Sequence, residues 1–302
     1  MLGQHVERYL SLRATLGYKL RDTRRELNTY TRLARSRGEE FIMNETAAAW
    51  ANSAPSPNAR SEKMKKLILF AKFLHAEDER HQVPFFENYR YRYVRPLPYI
   101  YSPAEISALL AASAGLKKQR PERRRMYSVL LGLIAVTGLR VSEALNLTFA
   151  DIEEGGVLRI RQAKHDKPRL VPLHPTALAE VNQYLSVRRR WSFDHDYLFT
   201  ARTGAPLSHK TLHCTFLTLL KIAGIAPGRA RRPRIHDLRH TFATRALETA
   251  PADRKGIAEH FVGLSTYLGH ADIKATYWYL EATPELMQEM ASVSEKFVGG
   301  AL

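Results

Sequence analysis

The segment YRYRYVRPLP, residues 89–98, constrains the fold more than any other stretch. Two prolines remove backbone donors and no apolar periodicity runs through it, so it reads as a linker rather than as part of a helix or a central strand. Its alternating Tyr and Arg, Arg90 and Arg92 among them, can lie along a phosphate backbone or form a plain exposed connector. Just beyond it, Ser102-Pro103-Ala104-Glu105 is a capping box with proline at the first helical position, followed by apolar Ile106, Leu109 and Leu110. A linker followed by a fresh helix start divides the 302 residues into domains of 1–97 and 98–302, both of ordinary domain size.

In the first part, residues 4–37 read as two helices. Val6, Tyr9, Leu10 and Leu16 form the apolar face of one, and Leu27, Tyr30 and Leu33 that of the other. Gly17-Tyr18 separates them and Gly38 marks a stop. Residues 52–58, NSAPSPN, read as a loop, and Arg60 to His75 as a third helix. That helix carries Met64, Leu67, Ile68, Ala71 and Leu74 on one face and Lys63, Lys65, Lys66 and Lys72 elsewhere. Such lysines either form a solvated face or meet phosphates.

The second part is helical around one β-rich stretch. Arg123 to Val136 is largely apolar, hence a buried helix, and ends at Thr137-Gly138. Val157 to Leu173 alternates and breaks at His165-Asp166, the pattern of a hairpin. Helices are expected near 174–190, 208–223, 236–250, 256–267 and 285–297. The fold class is therefore mainly α with a small antiparallel β-sheet.

Charge points to the partner. Lysine and arginine exceed aspartate and glutamate by 16, with 18 basic against 11 acidic side chains in residues 1–97 and 28 against 19 in the remainder. Basicity on both parts suits a clamp on double-stranded DNA better than it suits a basic tail. No apolar run approaches the ~20 residues of a membrane span, and the N-terminus lacks a signal-peptide pattern. A single cysteine, Cys214, excludes an internal disulfide and a cysteine-rich zinc site. The expected location is the cytoplasm of a bacterium, in association with the nucleoid.

Five places carry chemistry. In TGLRVSEAL, Arg140 follows a glycine that ends a buried helix, and Glu143 lies three residues on, able to hold its guanidinium. In KHDKPRLVPL, Lys164 and Lys167 sit at a hairpin tip. HDLRHTFAT places His236 and Arg239 on one helical face, with His240 beside them. LGH supplies His270, and Tyr279 follows nine residues later in an aromatic run. Two arginines can bind both non-bridging oxygens of a phosphodiester and stabilise a pentavalent transition state. A histidine can accept a phenolic proton, a lysine can protonate the departing oxygen, and a second histidine can bond a phosphate oxygen. A tyrosine can hold the phosphate covalently, since a phenolate leaves more readily than an alkoxide. The arginines supply the charge that magnesium brings in kinases, so no metal and no cofactor is expected. His209 and His213 are i, i+4 but have no third ligand.

These four ordered motifs resemble the tyrosine recombinase (phage integrase) family over the whole second part, and SEKMKKLILFAKFL resembles the segment found in that family's helical core-binding (SAM-like) domain. The layout is similar to that of Xer recombinases. The resemblance implies that Arg140 and Arg239 bind the scissile phosphate, with Glu143 supporting Arg140. It implies Lys164 as the general acid to the 5′-hydroxyl, His236 as the base, His270 as a phosphate ligand and Tyr279 as the nucleophile of a 3′-phosphotyrosyl link. His240 is read as packing support. The implied activity is site-specific DNA recombination through a Holliday junction, in integration, excision or transposition. A tetramer on two sites is implied, with room for a partner recombinase or directionality factor.

Alternatives stand beside these readings. Tyr277 and Tyr267 are rival nucleophiles, and Lys167 rivals Lys164. A type IB topoisomerase uses nearly the same residues, and a non-catalytic DNA-binding derivative is the other contrasting function. The apolar positions Leu286, Met290, Val293 and Phe297 suit a C-terminal helix docked on a neighbouring subunit or packed in cis. Two departures from the family pattern show. The interval before LGH, through residues 249–263, is longer than usual, and an arm-binding domain before residue 1 is not expected.

Overall fold

The computed structural model describes residues 2–18, 20–92, 97–161, 168–191, 193, 195–226, 228, 232–249 and 254–269. The chain falls into two compact units, residues 1–96 and 97–302.

In the first unit four helices enclose one core. They are α1 (Leu2–Thr15), α2 (Arg21–Ser36), α3 (Asn44–Asn52) and α4 (Pro57–His75). Leu27, Tyr30, Trp50, Leu67, Phe70 and Leu74 are buried together. The Trp50 indole donates to the Thr29 hydroxyl at 2.8 Å and meets the Tyr30 ring edge-on, so α3 is pinned to α2 by a polar and an aromatic contact at once. Periodicity does not announce α3: four of its nine residues are alanine, and only Trp50 is large. The expected loop shortens accordingly. Helix α4 starts three residues earlier than expected, because Pro57 occupies its first turn and the Ser56 hydroxyl accepts from the Ala59 amide at 3.3 Å. Leu16 does not join the apolar face of α1 but is 67% exposed, since the helix ends at Thr15 and Gly17 turns the chain at φ +82°.

The second unit opens as its capping box requires. The Ser102 hydroxyl accepts from the Glu105 amide, and the Glu105 carboxylate accepts from the Ser102 amide, starting α5 (Pro103–Ala111). Then come α6 (Pro121–Thr137) and the short α7 (Val141–Leu145). Strands β1 (Ile152–Glu153), β2 (Val157–Ile160) and β3 (Arg169–Pro172) form an antiparallel sheet in sequential order, with Leu158 opposite Val171 and Ile160 opposite Arg169. Helices α8 (Pro175–Arg188), α9 (His209–Ile222), α10 (Ile235–Glu248) and α11 (Arg254–Leu268) complete the described α-helices. The fold is mainly helical with a small antiparallel sheet, and no described helix is long and apolar enough to cross a membrane.

Helix α6 is the centre of the core, with Met126, Leu130 and Ile134 buried along it. Helix α10 crosses it. The Thr241 hydroxyl of α10 accepts from the Tyr101 amide at 2.9 Å, and Arg245 donates to the Tyr101 carbonyl at 2.6 Å, fastening the start of this unit to the helix that carries the HDLRH motif. The long interval before LGH is largely helix. Phe261, Leu264 and Leu268 of α11 pack against Ala243 and Leu247 of α10 in a small apolar cluster of their own.

Candidate active site

The site grows from the end of α6. Gly138 takes a left-handed conformation at φ +62°, which reverses the chain after the helix. A Cβ there would lie 2.5 Å from Cδ1 of Phe242, so both backbone conformation and space demand glycine. The reversal brings Arg140 to the head of α7. Its amide donates to Glu143 Oε2 at 2.9 Å and its Nη1 donates to Glu143 Oε1 at 2.7 Å. One carboxylate therefore caps the helix and holds the guanidinium, as the spacing suggested.

The second arginine arrives from α10. Asp237, buried beneath Arg234, caps that helix by accepting from the Arg234 amide at 2.8 Å. Two residues on, Arg239 is 1% exposed. It donates through Nη1 to the Gly138 carbonyl at 2.6 Å and through Nη2 to the Leu268 carbonyl at 2.8 Å. Arg140 Nη2 donates to the next carbonyl, that of Gly269, at 2.7 Å. Both guanidiniums thus converge on the C-terminal turn of α11, where the carbonyls of a helix end carry partial negative charge. That turn stands directly before His270 in the chain.

His236, one turn before Arg239, is half-buried, and its ring meets the fully buried His240 ring edge-on at 4.6 Å between centroids. Tyr267 stacks on Phe242 at 5.6 Å. Burial raises the Tyr267 phenol pKa despite the nearby positive charges of Arg169 and Arg239, which works against its forming a phenolate.

A third guanidinium enters that the sequence motifs do not single out. Arg169, at the start of β3, donates to both oxygens of Glu143, at 3.0 Å and 2.7 Å. Burial by itself would raise the Glu143 pKa, but the bonds from the Arg169 side chain, the Arg140 amide and the Arg140 side chain outweigh it and hold the carboxyl below its ordinary value. The available signal was strand alternation: Arg169 and Val171 share the inward face of β3, whereas Leu170 between them is 56% exposed.

Arg140, Glu143 and Arg239 are therefore brought to one place, with His236 and His240 on the same helix as Arg239. Lys164 and its rival Lys167 lie outside the described residues, as do His270, Tyr277, Tyr279 and the C-terminal stretch 285–297. In the first unit, Lys63 is occupied locally. Its Nζ sits 4.7 Å from the Trp50 ring centroid and donates to the Ser53 hydroxyl at 3.1 Å. Lys65 pairs with Glu62, and Arg90 with Glu87, whereas Lys66 is half-buried and Lys72 and Arg92 are exposed.

Comparison with known proteins shows what the chain is similar to. Residues 101–285 match the model of the phage integrase family. A putative integrase/recombinase, y4rB, of Sinorhizobium fredii is 36% identical over 299 residues, covering 95% of this chain and 94% of the relative. Tyrosine recombinase XerD of Rhizobium meliloti is 25% identical over 304 residues, covering 96% and 94%. Among solved structures, the Tn1549 transposon integrase in complex with a circular intermediate DNA shares the fold, with a TM-score of 0.68 at 18% identity over 97% of this chain and 99% of that one. The XerH recombinase bound to its difH substrate in a post-cleavage complex has a TM-score of 0.63 at 21% identity, covering 83% and 71%.

Proposed function

This chain belongs to the phage integrase family, and on that premise we propose that it is a tyrosine site-specific recombinase that cuts and rejoins double-stranded DNA. Arg140 and Arg239 bind the non-bridging oxygens of the scissile phosphate, and Glu143 aims Arg140. His236 accepts the phenolic proton of Tyr279 while the phenol oxygen attacks phosphorus. The bond to the 5′-oxygen breaks, Lys164 protonates that oxygen, and a 3′-phosphotyrosyl link remains, with His270 bonded to a phosphate oxygen. Because one phosphodiester replaces another, the bond energy is kept for religation and no nucleotide or metal cofactor enters the scheme. Attack by a 5′-hydroxyl from a second duplex transfers the strand and builds a Holliday junction.

One observation carries this reading. Two arginines 99 positions apart in the sequence, Arg140 and Arg239, donate to the adjacent carbonyls of Gly269 and Leu268, so both guanidiniums meet at one turn of the chain. A cluster of fixed guanidiniums at low exposure stabilises a charge-rich transition state far better than mobile surface lysines do. The remaining parts of the proposal are a tetramer on two DNA sites, help from a partner recombinase or directionality factor, DNA contact by Lys63, Lys65, Lys66, Lys72, Arg90 and Arg92 of a core-binding domain, and residence on the bacterial nucleoid.

The test is covalent trapping. A library of nicked duplexes with randomised central positions is incubated with the full chain, and denaturant-stable protein–DNA adducts are recovered and sequenced. Wild type and Tyr277→Phe should form an adduct on an enriched sequence, and Tyr279→Phe should form none. An adduct that persists in Tyr279→Phe moves the nucleophile elsewhere, and relaxation of supercoiled plasmid without any sequence enrichment would favour a topoisomerase instead.

A further inference from the structure

Glu143 is the pivot of the site, and its four bonds divide equally between Arg140 and Arg169. Oε1 accepts from Arg140 Nη1 at 2.7 Å and Arg169 Nη1 at 3.0 Å, and Oε2 accepts from the Arg140 amide at 2.9 Å and Arg169 Nη2 at 2.7 Å. The carboxylate is 1% exposed and the Arg169 side chain 10%, so this fork-on-fork pair is shielded from water. Arg169 also fills the space beside Gly269. A Cβ on that glycine, which has φ +65°, would lie 3.1 Å from Arg169 Nη1.

Resting on the recombinase reading, we infer that Arg169 is a positioning residue for strand cleavage, fixing the plane of the Glu143 carboxylate so that Arg140 is aimed at the scissile phosphate. The reason is partly geometric. Helix α7 has only five residues, and the two bonds that Glu143 accepts from Arg140, one at each oxygen, are local to it, so the Arg140–Glu143 pair stays free to shift together. A bidentate clamp from β3, 26 residues away, removes that freedom. The reason is also electrostatic. Glu143 alone would cancel the charge of Arg140, whereas two guanidiniums about one carboxylate leave one net positive charge to face a phosphate. Arg169 further links the strand that leads out of the Lys164 hairpin to the turn before His270, so the register of β3 and the aim of Arg140 are set together.

The experiment compares wild type, Arg169→Lys and Arg169→Met on the duplex recovered as a covalent adduct from the randomised nicked library. The scissile position is mapped from the adduct, and a second version of that duplex carries a methylphosphonate there, which removes the phosphate charge. Wild type must cleave the ordinary duplex. If it traps no duplex at all, the recombinase reading fails rather than this one. With wild type active, both variants should bind the duplex as tightly as wild type. They should cleave it about 100-fold more slowly at saturating protein, the scale set by misplacing a reacting group by an ångström. On the methylphosphonate the deficit should narrow to about tenfold or less, because an aimed positive charge matters less there. Adding Glu143→Gln to Arg169→Met should cost little more, as expected for residues acting as one unit. Wild-type rates in Arg169→Lys, or an equal deficit on both duplexes, would overturn the inference.

Discussion

The buried guanidinium of Arg239 donates to the carbonyl oxygen of Leu268 at 2.8 Å, so a side chain on α10 closes the last turn of α11. Its other donor holds the carbonyl of Gly138, where α6 reverses into α7. One residue therefore ties three helix ends together, and its proposed work on a phosphate shares a scaffold with its work on the fold.

Arg239→Ala should fail in both respects. Removing the donors leaves two buried carbonyls to be satisfied by other means, at a cost of about 1–3 kcal/mol each when they are not. Urea denaturation should show the loss directly. Cleavage per folded molecule should fall by about 100- to 1,000-fold, the scale for losing a preorganised donor to a developing charge. Arg140→Ala, whose guanidinium is less buried, should lose comparable activity with a smaller change in denaturation midpoint.

Gly138→Ala should lower thermal stability, although the only part Gly138 takes in the proposed site is through its carbonyl, which holds Arg239. The substitution combines a left-handed backbone with a Cβ placed 2.5 Å from Phe242 Cδ1. Strain of this kind costs about 1–3 kcal/mol. Calorimetry should register it. Phe242→Ala in the same chain should recover the steric part and leave the conformational part, so the double variant should be less destabilised than the two costs summed.

The Glu143 carboxyl has a folded pKa below its unfolded value, so its contribution to stability is present above the unfolded value and is lost as pH falls through the folded one. The difference in melting temperature between wild type and Glu143→Gln should stay constant at neutral pH and shrink once pH drops below about 4.3, the ordinary glutamate value. A melting series by circular dichroism from neutral to acid measures this. A difference that widened toward acid would reverse the assigned sign.

The lysines of α4 should not be equivalent in DNA affinity. Lys72 is exposed, whereas Lys63 lies over Trp50 and bonds Ser53. Lys72→Ala should weaken binding uniformly across sequences and reduce the slope of log affinity against log salt by about one unit, as for one lost phosphate contact. Lys63→Ala should change the slope less and the stability of the first unit more. Fluorescence anisotropy at several salt concentrations separates the two effects.

The parts of this protein that the sequence alone determined are the ones held by neighbours along the chain. The capping box at Ser102–Glu105, the glycine stop at Gly138, the Arg140–Glu143 pair and the existence of a hairpin within Val157–Leu173 are all local, and each was legible from residue type and spacing. The choice of motifs was legible too, since their order and spacing resemble one family. Tertiary structure decided what those pieces meet. Helix α3 is short and alanine-rich, and it exists because Trp50 finds Thr29 and Tyr30. Leu16 lost its expected place in the core because the helix stopped one residue before it. Arg169 became the partner of Glu143 across 26 residues, and Arg239 reached carbonyls 101 and 29 residues away. Periodicity states which face of an element is buried. Which side chain lies opposite that face depends on how the elements pack, and no local pattern contains that information.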